Sequence, residues 1–281
     1  MPRDARAGLL DRRSLLKGLA GVAIGTVTGG AAHGFLYERH HLELTKTSFP
    51  VPGLPEALRG LRIGLLTDIH RSEMVSHEIV SAAVGMVMAE KPDLIVLGGD
   101  YVTWSDRRYM TAAADGLAPL SAPYGVIAVL GNHDDDRDMP AALVARGFTV
   151  LRDARTRLTI RGEVMDFAGI RYWTHKLTDI AHIVRGSVPH TILLAHTPKR
   201  LLEAQILAVP AVMSGHTHGG QIVLPGVGAI AAREFPVIAG LAQRQGTTIF
   251  VSRGVGTVYV PVRINCPPEV AILTLDTVMR A

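Results

Sequence analysis

The chain has 281 residues, of which 48% are hydrophobic and 19% charged, so it can bury a sizeable core and lacks the composition of a disordered protein. Its net charge of +4 would suit an acidic partner, but five basic and two acidic residues lie among the first seventeen, which leaves only +1 for the remainder. A nucleic-acid-binding domain usually carries a basic face, so the charge does not favour that class.

The N-terminal segment has the features of an export leader. Arg12 and Arg13 form a twin-arginine pair, and residues 18–32 follow without a charge. The segment resembles a twin-arginine signal, so we expect export to the periplasm or cell envelope by the twin-arginine machinery. A membrane span needs about 20 apolar residues, so an uncleaved leader that anchors the protein in the membrane is the weaker interpretation. A basic terminus followed by an amphipathic helix is the simpler alternative.

The chain has a single cysteine, Cys266, which cannot form an intrachain disulfide. It lies beside Pro267 and Pro268, outside any metal-binding or redox spacing. We interpret it as packed and inert, with a catalytic thiol as the alternative.

From residue 61 onward, short apolar runs rich in Val, Ile and Leu end abruptly in Gly, Asp, Asn or His. Apolar runs of this length between turn residues are typical of strands buried on both faces. The clearest runs are Leu61–Thr67, Leu94–Leu97, Val126–Leu130, Thr191–Ala195 and Ala211–Met213.

Helical periodicity between these runs predicts helices over Ser76–Glu90 and Pro198–Ala208. Alternating strands and helices imply a parallel sheet covered by helices, which is an α/β fold. No internal repeat or low-complexity linker interrupts the chain, so we place a leader and linker at 1–44 and one domain at 45–281. Shorter, hairpin-like runs occur at Leu158–Ile160, Met165–Ile170, Thr248–Val251 and Val270–Leu275.

Side chains able to bind metal ions follow all five predicted strands. Any one cluster alone is usually structural, but all five would meet at one sheet edge. Asp and His together suit Mn, Fe or Zn, whereas an all-oxygen set would favour Mg or Ca. The clusters are Asp68-Ile69-His70, Gly99-Asp100, Gly131-Asn132-His133-Asp134, His196, and Gly215-His216-Thr217-His218-Gly219-Gly220.

The spacing within two clusters fits a shared site. Asp68 and His70 are two residues apart, as are His216 and His218. This spacing places both side chains of a pair on one side of an extended strand, or on a tight loop that spreads them around two ions. Glycines at 98, 99, 131, 215, 219 and 220 would permit tight turns where a Cβ would crowd the ions.

The ordered pattern D-x-H, G-D, G-N-H-D, H and G-H-x-H is complete between Asp68 and His218 and resembles the calcineurin-like metallophosphoesterase superfamily. The resemblance covers the chain beyond about residue 45 and implies a four-layer α/β/β/α sandwich with metal ions at the strand ends. The sequence itself predicts buried parallel strands but not the second sheet. Further segments resemble an exported YkuE/YaeI-like branch, namely Gly99–Val102, Ser214–Gln221, Gly254–Thr257 and Pro261–Glu269. Arg71, directly after the first motif, departs from the pattern of the superfamily. This departure leaves the ligands unchanged and affects only the contacts expected with substrate.

The resemblance also implies a role for each motif residue. His133 would contact the phosphate and protonate the leaving oxygen, with Asp134 orienting its ring. Seven side chains would hold two divalent ions: for the first ion Asp68, His70 and His218, for the second Asn132, His196 and His216, and as a bridge between them Asp100.

The activity expected from this resemblance is hydrolysis of a phosphate ester, with a diester favoured, by a hydroxide that two metal ions share. No G-x-S-x-G elbow or C-x5-R loop supplies a side-chain nucleophile.

Three alternatives to this activity remain. A UDP-2,3-diacylglucosamine pyrophosphatase of the lipid A type conflicts with an export leader. A nuclease of the same fold is disfavoured by the weak charge and the aromatic content of 5%. A non-catalytic metal-binding module is disfavoured by the complete ligand set.

Apolar residues after the last motif leave two interpretations open. They could line a groove for a lipid-linked substrate or for membrane association, or they could form an ordinary hairpin that turns at Pro225-Gly226. These residues are Ile222, Val223, Leu224, Pro225, Val227, Ala229 and Ile230.

Overall fold

Two six-stranded sheets stacked face to face form the centre of the molecule in the computed structural model, which describes residues 12–277. The helices are α1 (Arg12–Leu36), α2 (His77–Ala89), α3 (Arg107–Leu117), α4 (Asp138–Val144), α5 (Leu177–Val184) and α6 (Leu201–Ile206). The strands are β1 (Glu43–Pro50), β2 (Arg62–Leu66), β3 (Leu94–Leu97), β4 (Val126–Ala128), β5 (Thr149–Val150), β6 (Ala154–Ile160), β7 (Glu163–Ile170), β8 (Ile192–Ala195), β9 (Ala211–Ser214), β10 (Val223–Leu224), β11 (Gly228–Ala229), β12 (Gly240–Arg244), β13 (Thr247–Val251) and β14 (Glu269–Asp276).

Both sheets are mainly parallel. The first has the order β1-β14-β2-β3-β4-β5, in which β14 and β2 are the antiparallel neighbours. The second has the order β12-β13-β9-β8-β7-β6 and is antiparallel at its two outermost pairs. The connections between parallel neighbours include α2, α3, α4, α5 and α6, as expected for crossovers that return the chain to the same edge.

Three apolar cores hold the layers together, and β8 shows how one strand serves two of them. Ile192 and Leu194 point into the core between the sheets, whereas Leu193 and Ala195 point into the core beneath α5 and α6. Side chains alternate across a strand, so a strand buried on both faces needs a continuous apolar run. A third core joins α2, α3 and α4 to the outer face of the first sheet. The predicted four-layer α/β/β/α sandwich is therefore confirmed.

The strands expected from apolar runs are present with small shifts of their ends. Val126–Leu130 forms a strand over its first three residues only, and the helix expected over Pro198–Ala208 divides into a 3₁₀ turn and α6. The run Val270–Leu275 was interpreted as hairpin-like, and that was wrong. It belongs to β14, an interior strand of the first sheet. β14 pairs with β1 along eight residues and with β2 on its other side.

The folded domain begins before the predicted boundary at residue 45. Glu43 opens β1 opposite Glu269 in the first sheet. The end of α1 also packs on the domain, where the backbone of Gly34 accepts a hydrogen bond from Arg263 N at 3.2 Å. The twin arginines start α1, and the rest of the predicted leader, residues 1–11, lies outside the described residues. Within residues 12–277, no helix combines the length and apolarity that crossing a membrane requires.

Candidate metal centre

The polar clusters lie at one edge of the molecule, where strands of both sheets end. Sheet one supplies the residues after β2, β3 and β4, and sheet two supplies those after β8 and β9. The sequence had suggested the edge of a single sheet. Two sheets contribute because their inner faces pack together and bring the carboxyl ends of their parallel strands side by side.

The ligand loops are tight rather than extended. Asp68, His70, Asp100, His216 and His218 all have φ between 49° and 73°. Left-handed backbone is uncommon for residues other than glycine and costs on the order of 1–3 kcal/mol at each position. The tight-loop alternative is therefore the observed one, and the surrounding structure holds these residues in a strained arrangement.

Two glycines make the close packing of these loops possible. A Cβ at Gly131 would collide with the Asp100 carboxylate, and a Cβ at Gly215 would collide with Asp68 and Thr67. Both positions therefore lack room for any side chain. The expected crowding at these two positions is confirmed.

The first ligand group consists of Asp68, His70 and His218, whose ligand atoms lie within 4.8 Å of one another. His218 Nε2 is 3.1 Å from His70 Nε2 and 3.5 Å from Asp68 Oδ1. The Asp68 carboxylate accepts hydrogen bonds from the His216 backbone N–H at 3.0 Å and from the Thr67 hydroxyl at 2.8 Å. The bond from His216 links a loop of the second sheet to a loop of the first.

The second ligand group consists of Asp100, His196 and His216, again within 4.8 Å of one another. Asp100 Oδ1 accepts the backbone N–H of His133 at 2.8 Å, which fixes the carboxylate. Its Oδ2 then lies 3.1 Å from His196 Nε2 and 3.4 Å from His70 Nε2. One oxygen of Asp100 is thus close to both groups.

Unsatisfied atoms in this site fit bound cations. The C=O of Gly98 accepts from His196 Nδ1 at 2.8 Å, so the neutral ring has a bare Nε2 that faces the Asp100 carboxylate. This Nε2 and the Oδ1 of Asn132 are both buried without a hydrogen-bond partner. Buried polar atoms of this kind are rare unless an ion or water satisfies them. The donor set therefore fits divalent metal ions.

The electrostatics of the site prepare the imidazoles to bind cations. Burial lowers the pKa of His70 to about 4 and that of His216 to about 3, so both rings are neutral at pH 7. Burial also acts to lower the pKa of His196, but the facing Asp100 carboxylate outweighs it and raises that pKa to about 10. The negative charge of Asp100 therefore favours a positive charge beside His196 Nε2.

Residues 61–220 match the family model of the calcineurin-like phosphoesterases. The chain belongs to the calcineurin-like phosphoesterase family. It is 31% identical to the uncharacterized metallophosphoesterase YkuE of Bacillus subtilis over 95% of this chain and 98% of that protein. It is also 31% identical to the phosphodiesterase YaeI of Escherichia coli, over 76% of this chain and 82% of that protein.

A solved structure shares the fold at low identity. The NAD nucleotidase NadN of Haemophilus influenzae superposes with a TM-score of 0.50 and 15% identity, over 70% of this chain and 50% of that chain. Family membership and the clustered ligands together make the protein a metal-dependent phosphoester hydrolase.

His133 and Asp134 lie beside the ligand groups in this phosphoesterase, but the predicted contact between them is not the one observed. The backbone N–H of Trp104 donates to His133 Nδ1 at 3.0 Å and thereby orients the ring. The Asp134 carboxylate instead accepts the backbone N–H groups of Asp100, Tyr101 and Gly131 at 2.7–2.8 Å. Asp134 therefore ties the loop after β3 to the loop after β4. Burial, reinforced by Asp100, raises the pKa of Asp134 to about 7.

Two supporting residues were missed by the sequence analysis. The hydroxyl of Thr103 lies 3.1 Å from His70 Nδ1, and nothing in the motif pattern marks this threonine. Arg263 is fully buried with one Nη2 3.4 Å from His218 Nδ1. Its guanidinium donates to the backbone C=O groups of four residues, Arg253, Gly254, Gly256 and Cys266. The only available signal was its place in the tail segment Pro261–Glu269.

The apolar segment after the last motif forms a hairpin, as one interpretation predicted. Val223 pairs with Ala229 and Leu224 with Gly228. Cys266 is buried, with a thiol pKa raised by burial, and its Sγ contacts the backbone C=O of His218 at 3.2 Å. A buried thiol of raised pKa is a poor nucleophile, which agrees with the inert interpretation.

Proposed function

We propose that this protein is a phosphodiesterase that uses two divalent cations. The observation that carries the proposal is the position of Asp100 Oδ2, 3.4 Å from His70 of the first ligand group and 3.1 Å from His196 of the second. An oxygen within reach of both groups is what a bridging ligand requires. Asn132 would complete the second group through its unpartnered Oδ1. Because Asp oxygen and His nitrogen are mixed, we expect Mn, Fe or Zn.

Two bound cations would lower the pKa of a water toward neutrality and neutralise charge on the phosphoryl group. The chain's own contribution is to fix the geometry around that chemistry. Backbone amides orient Asp68 and Asp100, and the Gly98 carbonyl sets the His196 tautomer. Such contacts hold ligands in place before substrate arrives.

His133 is the proposed proton donor to the leaving oxygen. Its Nδ1 accepts the Trp104 N–H, so the neutral ring carries its proton on Nε2. The ring borders a cavity that also contains Asp100, His216 and His218. Nε2 is the nitrogen left to face a bound phosphate. In the neutral ring this N–H would donate a hydrogen bond to the leaving oxygen. Transfer of the proton to a departing alkoxide would require the imidazolium form, which becomes the neutral ring as the alcohol leaves.

The preference for diesters is supported by the relative YaeI, which is named a phosphodiesterase. The test compares purified, metal-loaded protein on bis-p-nitrophenyl phosphate and p-nitrophenyl phosphate. We expect faster hydrolysis of the diester, and a loss of more than about 100-fold in the Asp100→Asn variant, since even contacts behind the ligands are worth 10–100-fold. Asp115→Asn, the same change of residue type at an exposed position of α3, should behave as wild type. Wild-type turnover by Asp100→Asn would contradict the two-metal assignment.

We also propose export to the cell envelope through the twin-arginine machinery. The proposal rests on the paired guanidinium groups of Arg12 and Arg13 ahead of an uncharged stretch. Changing both to lysine should keep the protein in the cytoplasm on fractionation. Arg107 and Arg108, an adjacent exposed pair on α3, offer the matched control and should tolerate the same change. An unaltered distribution in the Arg12→Lys, Arg13→Lys variant would show that the leader is not read in this way.

A further inference from the structure

A cavity of about 430 Å³ opens directly onto the ligand groups, and its two sides differ in chemistry. Asp100, His133, His216 and His218 form the polar floor. The opposite side, called the apolar wall below, is formed by residues on either side of the β10–β11 hairpin, by the loop before β12 and by the loop after β13. The apolar wall consists of Ile222, Ile230, Ala231, Ala232, Phe235, Val258, Tyr259 and Val260.

Two polar side chains on this side of the cavity, Gln221 and Thr217, hydrogen-bond to the backbone of the protein. Gln221 Nε2 donates to the C=O of Val260 at 2.9 Å and of Val258 at 3.2 Å, while its Oε1 accepts the Val258 N–H at 3.1 Å. Thr217 donates its hydroxyl to the C=O of Ile238 at 2.6 Å. A sugar or nucleobase needs hydrogen-bonding groups for recognition, and these two residues have already used theirs.

The rim of the apolar wall is open to solvent. Ile230 is 49% exposed, Val260 46% and Tyr259 68%, and all three line the cavity that contains the metal ligands. Trp104 is 67% exposed. The centroid of its ring lies 5.4 Å from the ring centroid of Tyr259 and 4.6 Å from that of His133. Isolated exposed apolar residues are ordinary, but exposed apolar residues that cluster at a cavity mark a binding surface.

The backbone is strained at two aromatic residues of the rim. Trp104 has φ of 54° and Tyr259 has φ of 63°. Bulky residues rarely adopt this region, and such strain concentrates at ligand-binding sites.

We propose that the substrate is a phosphodiester amphiphile whose hydrocarbon chain lies along the apolar wall while its phosphate meets the ligand groups. This inference rests on the proposed function, because it places the phosphate at the two cations. An aliphatic chain matches the aliphatic lining and needs no hydrogen-bond partner. The exposed acidic residue Glu234 at the cavity disfavours a second anionic group in the same place.

The test is a homologous series of alkyl p-nitrophenyl phosphates, methyl to octyl, below their micelle concentrations, with both possible alcohol products quantified. A fully buried methylene is worth about fourfold in binding, so kcat/KM should rise about two- to fourfold per methylene, which is at least about thirtyfold over the five methylenes from methyl to hexyl. The Ile230→Ser, Val260→Ser double variant should lose most of this dependence. Leu202→Ser removes an exposed aliphatic side chain on α6 that does not line this cavity, and the dependence on chain length should remain.

Binding without turnover supplies a second readout. The chain has two tryptophans, so Trp173→Phe leaves Trp104 as the single reporter beside the cavity. Hexylphosphonate should shift its emission to shorter wavelength, whereas methylphosphonate at the same concentration should not. Equal responses to the two ligands would contradict the inference.

The outcomes separate the two proposals. If no member of the series is hydrolysed, the phosphodiesterase proposal fails and this inference fails with it. If all members are hydrolysed at the same kcat/KM, only the hydrocarbon-chain inference is overturned. It is also overturned if the double variant retains the wild-type dependence, or if a nucleoside p-nitrophenyl phosphate exceeds the hexyl ester tenfold.

Discussion

The floor and the wall of the cavity are built in opposite ways. On the floor, Asp100 is buried and accepts a hydrogen bond from the His133 backbone N–H. Directly behind the floor, Asp68 and His196 are buried and are also hydrogen-bonded to the backbone. On the apolar wall, Ile230 and Val260 are about half exposed and are placed by a short hairpin and an irregular loop. We therefore expect the floor to set the reaction. Substitutions on the apolar wall should change the preferred substrate with little loss of folding stability.

This difference also separates the expected effects of substitutions. Changes on the floor should reduce hydrolysis of every ester, because they alter the site of the chemistry. Changes on the wall should alter only the dependence on the hydrocarbon chain.

The largest effect is expected for His218→Ala, which removes a ligand of the first group. Turnover of bis-p-nitrophenyl phosphate and of all alkyl esters should fall by more than about 100-fold, the upper end of what contacts behind the ligands are worth. The measurement is kcat/KM beside the metal content of the same preparation. A loss confined to long-chain esters would contradict the division between floor and wall.

His133→Ala should keep the metals and slow alkyl diesters by roughly 10²–10⁴-fold. An activated nitrophenyl ester should lose less, because its leaving group hardly needs a proton. His133→Gln offers an amide donor without a transferable proton, so it separates hydrogen bonding from proton transfer. If His133→Ala slows both ester types equally and loses metal, the residue is structural and has no proton-donor role.

Thr103→Val should weaken metal binding by about 10–100-fold, because the valine cannot bond the Nδ1 of His70. The quantity to measure is the metal dissociation constant by competition with a chelator. Thr191→Val is the matched control, since Thr191 is also buried and bonds a backbone carbonyl far from the ligands. Equal weakening in both variants would assign the effect to general destabilisation.

Much of the fold could be predicted because the strands that carry ligands are buried on both faces. Such strands need continuous apolar runs, which is why β3 and β8 stand out. Two elements gave no such signal. β1 is mostly half-buried or exposed, and α3 begins with two exposed arginines. The pairing of β1 with β14 joins the two ends of the domain, and local patterns do not encode it.

The candidate ligands were visible in the sequence because each follows a strand in a recognisable motif. The supporting contacts were not, because they join distant parts of the chain. Thr103 meets His70 across 33 residues and Arg263 meets His218 across 45. The contacts of Asp134 were hidden for the same reason, since its partners include Asp100 and Tyr101 on the preceding loop.

The most direct test of the two-metal centre is the metal content of the purified wild-type protein, measured by mass spectrometry after loading with Mn, Fe or Zn and removal of free ions. The arrangement of Asp100 between the ligand groups predicts about two ions per chain, with Asp100→Asn retaining fewer. A fully active wild-type preparation that holds one ion or none would contradict the account.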